Sequence, residues 1–266
     1  MRLPADSQSR SHREGRVCRR AFSLLELLVV IVIIGILATI SLPAIKGLRG
    51  GNVLAAANRQ LQDDLAYARQ KAITERTTVY VVFVPTNFWS SIPGAGTPTS
   101  AQLFNNLVAG QMTDYALYAP RSAGDQPGRP SRHYITEWRS LPDGVFIPAW
   151  KFSGGTTAVT NFNTVVNVLD FAWTNIFYFP TERDNYRPYL PFVAFNAQGQ
   201  LTSGQDEYIP LATGSVLEPP KDAAGNYPLQ TADANETPAR NSINNPNVLH
   251  INWLTGRARV ERLVVR

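Results

Sequence analysis

Residues 19–43 read R-R-A-F-S-L-L-E-L-L-V-V-I-V-I-I-G-I-L-A-T-I-S-L-P. From Leu27 to Ile45 no side chain ionises, a run of 19 residues. At about 1.5 Å per helical residue this run crosses most of a hydrocarbon core of about 30 Å, so a transmembrane helix is the first expectation. Glu26 stands at its head. A carboxylate at mid-membrane costs about 2.5 to 3.5 kcal/mol on insertion scales, which predicts a partner that neutralises this one.

The preceding 21 residues hold six arginines (2, 10, 13, 16, 19 and 20) against Asp6 and Glu14. Such a basic leader stays in the cytoplasm by the positive-inside rule, which places the rest of the chain outside. A cut after the small residue Ala21 would create a new amine on Phe22, four residues before Glu26. In low dielectric that amine attracts a carboxylate strongly, and the amine of one subunit can neutralise the Glu26 of its neighbour in a stack of helices. A secretory signal peptide fits less well, because its apolar core runs about 7–15 residues and ends in an A-x-A-like site. A plain signal anchor accounts for the hydrophobicity but not for the A-F-x-x-x-E arrangement.

The string A-F-S-L-L-E-L-L-V-V-I-V-I-I-G-I-L-A-T-I-S-L-P resembles the cleavage and methylation segment of type IV prepilins and type II secretion pseudopilins. The resemblance implies cleavage between Ala21 and Phe22 by a prepilin peptidase, N-methylation of Phe22, and an assembly role for Glu26. Pro43 matches the position where family helices kink, as a residue without an N–H requires. Where the family usually has Gly before the cut, this chain has Ala21. The motif covers about a tenth of the sequence.

Beyond the span, G-L-R-G-G (47–51) reads as a flexible interruption, after which helical periodicity resumes. Leu54, Ala57, Leu61, Leu65, Ala68 and Ala72 recur at steps of three and four, with Arg59, Gln62, Asp63, Arg69 and Gln70 largely off that stripe. One long N-terminal helix, transmembrane in its first half and amphipathic over 49–77, is expected. The runs V-Y-V-V-F-V (79–84), Y-A-L-Y (115–118), I-F-Y-F (176–179) and F-V-A-F (192–195) read as strands, and 248–253 with 257–265 as a terminal hairpin. The long connections 86–113, 148–174 and 203–247 read as loops. The fold class is therefore α+β, a helix packed on an antiparallel sheet. The helix, F-N-A-Q-G (195–199) and I-N-W-L-T-G-R-A-R-V (251–260) resemble GspH/FimT-type minor pseudopilins, and the overall organisation resembles the prepilin-like cassette proteins of Verrucomicrobia.

The formal charge is +5, but the leader supplies +4 of it, so a mature chain is nearly neutral. The only cysteine, Cys18, also lies in the leader, which leaves the mature chain no disulfide and no cysteine metal site. The two remaining histidines, His133 and His250, are far apart in sequence, and no H-E-x-x-H, G-x-S-x-G or P-loop pattern occurs. No catalytic residue, cofactor or metal is expected. His250 reads as a surface or hydrogen-bonded strand residue, and Asp206 with Glu207 are too few carboxylates for a Ca²⁺ loop. Arg257, Arg259, Arg262 and Arg266 form a basic cluster offset by Glu261. In fimbrial-type relatives a terminal G-R-x-R can contact DNA, and Gly256-Arg257-Ala258-Arg259 fits that pattern. With a nearly neutral domain the solvated strand face is the preferred reading, and nucleic acid is not the expected partner.

The sequence thus reads as a basic leader (1–21), a transmembrane helix (22–48), an amphipathic continuation (49–77) and a β-rich extracytoplasmic domain (78–266). The expected role is that of a minor subunit of a type II secretion pseudopilus or type IV pilus-like filament, held in the bacterial inner membrane before assembly, with its C-terminal domain periplasmic. Expected partners are the prepilin peptidase, other pilin or pseudopilin subunits, the inner-membrane assembly platform and membrane lipid. The competing readings are a DNA-binding minor pilin and a monomeric membrane-anchored interaction domain.

Overall fold

The computed structural model describes residues 24–90, 101–126, 128–161, 164–244 and 246–261, with the side chains of residues 26, 38–51, 90, 101, 160–161 and 164–166 outside that description. The chain divides into two compact units, Met1–Gly47 and Leu48–Arg266. Helix α1 spans Leu24–Glu75, 52 residues, with Pro43 and the glycines of 47–51 inside it. The expected interruption at G-L-R-G-G is therefore corrected: the helical hydrogen bonding continues across it. The bend expected at Pro43 concerns a residue whose side chain lies outside the description.

In the second unit the antiparallel strands follow: β1 (Val79–Phe83), β2 (Asp114–Ala119), β3 (His133–Tyr134), β4 (Arg139–Ser140) and β5 (Val145–Phe146). Then come β6 (Thr156–Asn161), β7 (Thr164–Leu169), β8 (Phe192–Phe195), β9 (Glu207–Leu217) and β10 (Asp233–Glu236). Strands β11 (Asn247–Ile251) and β12 (Ala258–Glu261) close the chain, and short helices α2 (Ala101–Ala109) and α3 (Asn241–Asn244) lie between strands. The first sheet runs β3-β2-β1-β8 with β4 also on β2; the second runs β10-β9-β11-β12 with β5 also on β9; β6 and β7 form a separate ribbon.

The first sheet is covered on both faces, which is why its strands read as continuous apolar runs rather than alternating ones. Val79, Val81, Phe83, Tyr115, Leu117, Val193 and Phe195 pack with Ala57, Leu61, Leu65, Ala68 and Ala72 of α1. The same core takes Ile209, Leu211, Leu249 and Ile251 from the second sheet. On the other face Val82, Val84, Tyr118 and Phe192 meet Phe88, Leu107, Phe177, Phe179 and Tyr186. Edge-on ring contacts such as Tyr80 with Phe177 at 5.3 Å knit that layer, an arrangement aromatic quadrupoles favour.

Three sequence expectations change here. Residues 176–179 form no strand: Phe177 and Phe179 donate N–H bonds to Pro188 and Tyr186 carbonyls, and Pro188 has no N–H to return one. The segments read as loops hold structure: α2 lies within 86–113, β6 and β7 within 148–174, and β9, β10 and α3 within 203–247. Strand β9 was hidden by Pro210 and Gly214. Pro210 falls where β9 is paired only with β11, so its missing N–H interrupts no second ladder. A Cβ on Gly214 would stand 2.0 Å from the Asn235 carbonyl oxygen, so glycine is what lets β10 close on β9.

Candidate assembly segment and terminal hairpin

In the first unit, every described side chain from Leu24 to Leu37 is exposed, including Leu25, Ile31, Ile34 and Leu37. A helix that is apolar all round is one meant for burial. Among the described residues no helix is long and apolar enough to cross a membrane, and the described side chains of this run stop at Leu37. The leader 1–21, with Ala21, and the following Phe22 lie outside the described residues; Glu26 lies within α1, its side chain outside the description.

In the second unit α1 is fastened along both flanks of its apolar stripe. On one flank Asn58 and Asn247 exchange two side-chain hydrogen bonds of 3.1 and 2.8 Å, and Gln62 donates to the Ala258 carbonyl at 2.9 Å. Further along, Arg69 Nε donates to the carbonyls of Thr255 (2.7 Å) and Gly199 (3.2 Å). Gly199 and Gly256 have positive φ, and a Cβ on Gly256 would stand 2.0 Å from the Gly199 oxygen, so the two loops close onto Arg69 only as glycines. On the other flank Gln60 donates to the Tyr115 hydroxyl and the Ser140 carbonyl, and buried Asp64 accepts from Tyr115 at 2.7 Å and from Arg139. Burial, then the Asp64 carboxylate, pushes the Tyr115 phenol well above its usual range.

Gln62 and Arg69 were expected to face away from the packed stripe; they are instead its link to the terminal hairpin. Sequence reasoning also passed over Asn58, Gln60 and Asp64. The available signal was spacing: residues 58, 62 and 69 share one flank of a 3.6-residue helix, and 60 and 64 share the other.

Over its described residues the hairpin forms, with β11 and β12 paired from Val248↔Glu261 to Ile251↔Ala258; the expected continuation over 262–265 lies outside the described residues. His250 is buried and stacks on Tyr208 with ring centroids 4.5 Å apart. Its Nε2 lies 2.8 Å from Asp206 and its Nδ1 2.9 Å from Glu261. Arg259 Nε approaches the same Nδ1 at 3.2 Å, and its Nη2 lies 3.2 Å from Glu261. Nδ1 can accept from Arg259 or donate to Glu261, but not both, so the tautomer of the ring decides which contact is made. Of the two candidate DNA contacts, Arg257 is exposed and Arg259 is engaged with Glu261 and His250. Arg262 and Arg266 lie outside the described residues.

Asp206 and Glu207 separate, as neighbours in an extended chain do. Asp206 accepts the Trp253 N–H at 2.8 Å, a bond that with His250 holds its carboxyl below the usual range. Glu207 turns to Lys151 at 2.5 Å. The two carboxylates therefore do not converge on one ion, and no group of three metal-ligating residues occurs among the described residues.

Residues 16–42 match the prokaryotic N-terminal methylation motif, so the N-terminal segment is of the prepilin type. The match spans Ala21, Phe22 and Glu26. Among solved structures the chain is similar to the type IV minor pilin FimU of Pseudomonas aeruginosa, at 11% identity and a TM-score of 0.33 over 79% of this chain and 90% of that one. A likeness at that score carries no argument about this chain. No curated protein matches the sequence.

Proposed function

We propose that this chain is a membrane-inserted prepilin-like subunit of the minor type, cut between Ala21 and Phe22, N-methylated on Phe22, and assembled through Glu26 into a type II secretion pseudopilus or type IV pilus-like filament. The observation that carries the proposal is the methylation motif over residues 16–42, which contains the cut site and the carboxylate together. The uniformly apolar start of α1 supports it, since that surface needs lipid or other helices around it. The charge of the leader supports an N-terminus on the cytoplasmic side and a periplasmic second unit. The partners are then the prepilin peptidase, other pilin-type subunits and an inner-membrane assembly platform. Withdrawal of 19 uncharged, mostly apolar residues from lipid is compensated by packing against neighbouring helices in the filament.

Intact-mass analysis of the chain extracted from membranes that contain a working prepilin peptidase is expected to show Phe22 as the first residue, with the added mass of one methyl group. Recovery of full-length chain alone would refute the processing.

A further inference from the structure

The described surface holds a basic cluster built around one aromatic ring. The guanidinium carbon of Arg132 lies 3.9 Å from the centroid of the Tyr178 ring, and that of Arg187 lies 5.4 Å from it. Both arginines are exposed, and among the described residues neither guanidinium has a hydrogen bond or ion pair. An arginine stacked on a ring keeps its guanidinium flat and its N–H edge outward, arranged to receive a carboxylate in bidentate fashion. Arg121 and Arg129 are exposed on the segment that also carries Arg132, and Arg183 is exposed on the segment that carries Arg187. The nearby Asp125 accepts from Ser122 and Ser131, buried Asp184 accepts from Thr181, and Glu182 lies 3.9 Å from Arg183, so the five arginines outnumber the carboxylates beside them.

The cluster has a definite place on the first sheet. Arg121 follows the end of β2, and Arg132 precedes β3, which returns with His133 opposite Ala119. It therefore sits at the C-terminal end of β2. At the N-terminal end of the same strand, beside Asp114, opens a cavity of about 440 Å³. Its walls include the carboxylates of Asp114, Asp143 and Glu218 and no lysine or arginine. Asp143 and Glu218 are exposed. The rise of an extended strand puts the two ends of β2 about 17 Å apart.

We infer that the second unit pairs head to tail with a second copy of this chain, the Arg132/Arg187 cluster of one copy seating against Asp143 and Glu218 of the next. The two surfaces are different and lie at opposite ends of one strand, so the contact is heterologous and leaves one surface of each kind free for a further copy. One exposed ion pair contributes little, and specificity here comes from several arginines presented together to several carboxylates. The setting rests on the filament reading above, whereas the charge complementarity is a property of the second unit alone.

The test uses the full chain in its own membrane, with Cys18→Ser and two reporter cysteines, Gln126→Cys beside the cluster and Ser215→Cys in the cavity wall. Mild oxidation is expected to give a ladder of crosslinked copies that requires both cysteines and weakens with salt. Reversing the cluster (Arg132→Glu with Arg187→Glu) or the cavity (Asp143→Arg with Glu218→Arg) is expected to cut the crosslinking about tenfold. A chain with all four reversals is again self-complementary and is expected to recover the ladder, which also shows that the reversals leave the domain folded. No ladder, a ladder indifferent to the reversals, or a loss that the fourfold variant does not restore would overturn the inference. The last outcome would mean that the arginines serve another polyanion. Intact mass on the same samples separates the two readings: processed chain without a ladder sinks only the pairing, and a ladder of unprocessed chain sinks only the processing.

Discussion

Replacing Lys151 with Met is expected to be among the most damaging single changes in the second unit. The side chain has no exposed surface; its ammonium lies 2.5 Å from Glu207, donates to the Leu169 carbonyl, and sits 4.5 Å from the Phe171 ring centroid. Burial drives the Lys151 ammonium down and the Glu207 carboxyl up, and each charge partly holds the other ionised. Met fills the volume but leaves Glu207 as a carboxylate without its counter-ion. Removing one partner of a buried pair costs about 3 to 5 kcal/mol. At about 2 to 4 °C per kcal/mol for a unit of this size, the melting temperature should fall by roughly 6 to 20 °C. The sign with pH is fixed by Glu207, whose folded value is already raised from 4.5 and rises further without Lys151. Between the unfolded and the raised folded value the folded chain holds a proton that the unfolded chain has lost, so stability falls as pH rises through that window. The deficit of Lys151→Met relative to wild type should therefore grow as pH rises above the ordinary glutamate value of 4.5 and narrow as pH falls toward it. The double variant Lys151→Met with Glu207→Leu buries neither charge and should recover most of the loss. Thermal and urea melts of Leu48–Arg266 at several pH values measure all of this. A single-variant loss below about 1 kcal/mol, or a deficit that stays flat in acid, would refute the reasoning.

Two further outcomes bear on the N-terminal segment and the terminal hairpin. Glu26→Leu removes a charge from the apolar segment, so membrane insertion should hold or improve while crosslinking to neighbouring pilin-type subunits falls; unchanged crosslinking would remove the Phe22–Glu26 pairing. The terminal hairpin should contribute only weak duplex DNA binding near physiological salt, with a log-log slope no steeper than about −4, because Arg259 is already engaged with Glu261 and His250 and the domain is nearly neutral overall. Sub-micromolar binding at about 150 mM salt, abolished by Arg257→Ala with Arg259→Ala, would promote the DNA reading.

The parts legible in the sequence were those written in a local pattern. The stripe from Ala57 to Ala72, the runs at 79–84, 115–118 and 192–195 and the terminal hairpin are each set by neighbours in the chain, and each forms. The N-terminal segment was legible for the same reason, since the methylation motif matched over residues 16–42 is a one-dimensional signal. What stayed hidden depends on distant partners. Strand β9 carries Pro210 and Gly214, which punctuate a sequence but are accommodated by a one-sided ladder and by the close approach of Asn235. Lys151 in P-A-W-K-F gives no sign that Glu207, 56 residues later, will meet it. The polar residues beside the α1 stripe looked solvated because their acceptors are backbone carbonyls and side chains more than fifty residues away.

The fastening of α1 to the last hairpin also sets a timetable for biosynthesis. Arg69 waits for Thr255, 186 residues downstream, and Asn58 waits for Asn247. At about 5 to 20 residues per second the ribosome needs roughly 10 to 40 s to deliver that partner. During that interval Ala57, Leu61 and Leu65 lack the Leu249 and Ile251 that cover them in the finished domain. The nascent helix is thus covered in two stages, first by β1 and β2 and only later by β11 and β12, so part of its apolar stripe stays open until the terminal hairpin emerges.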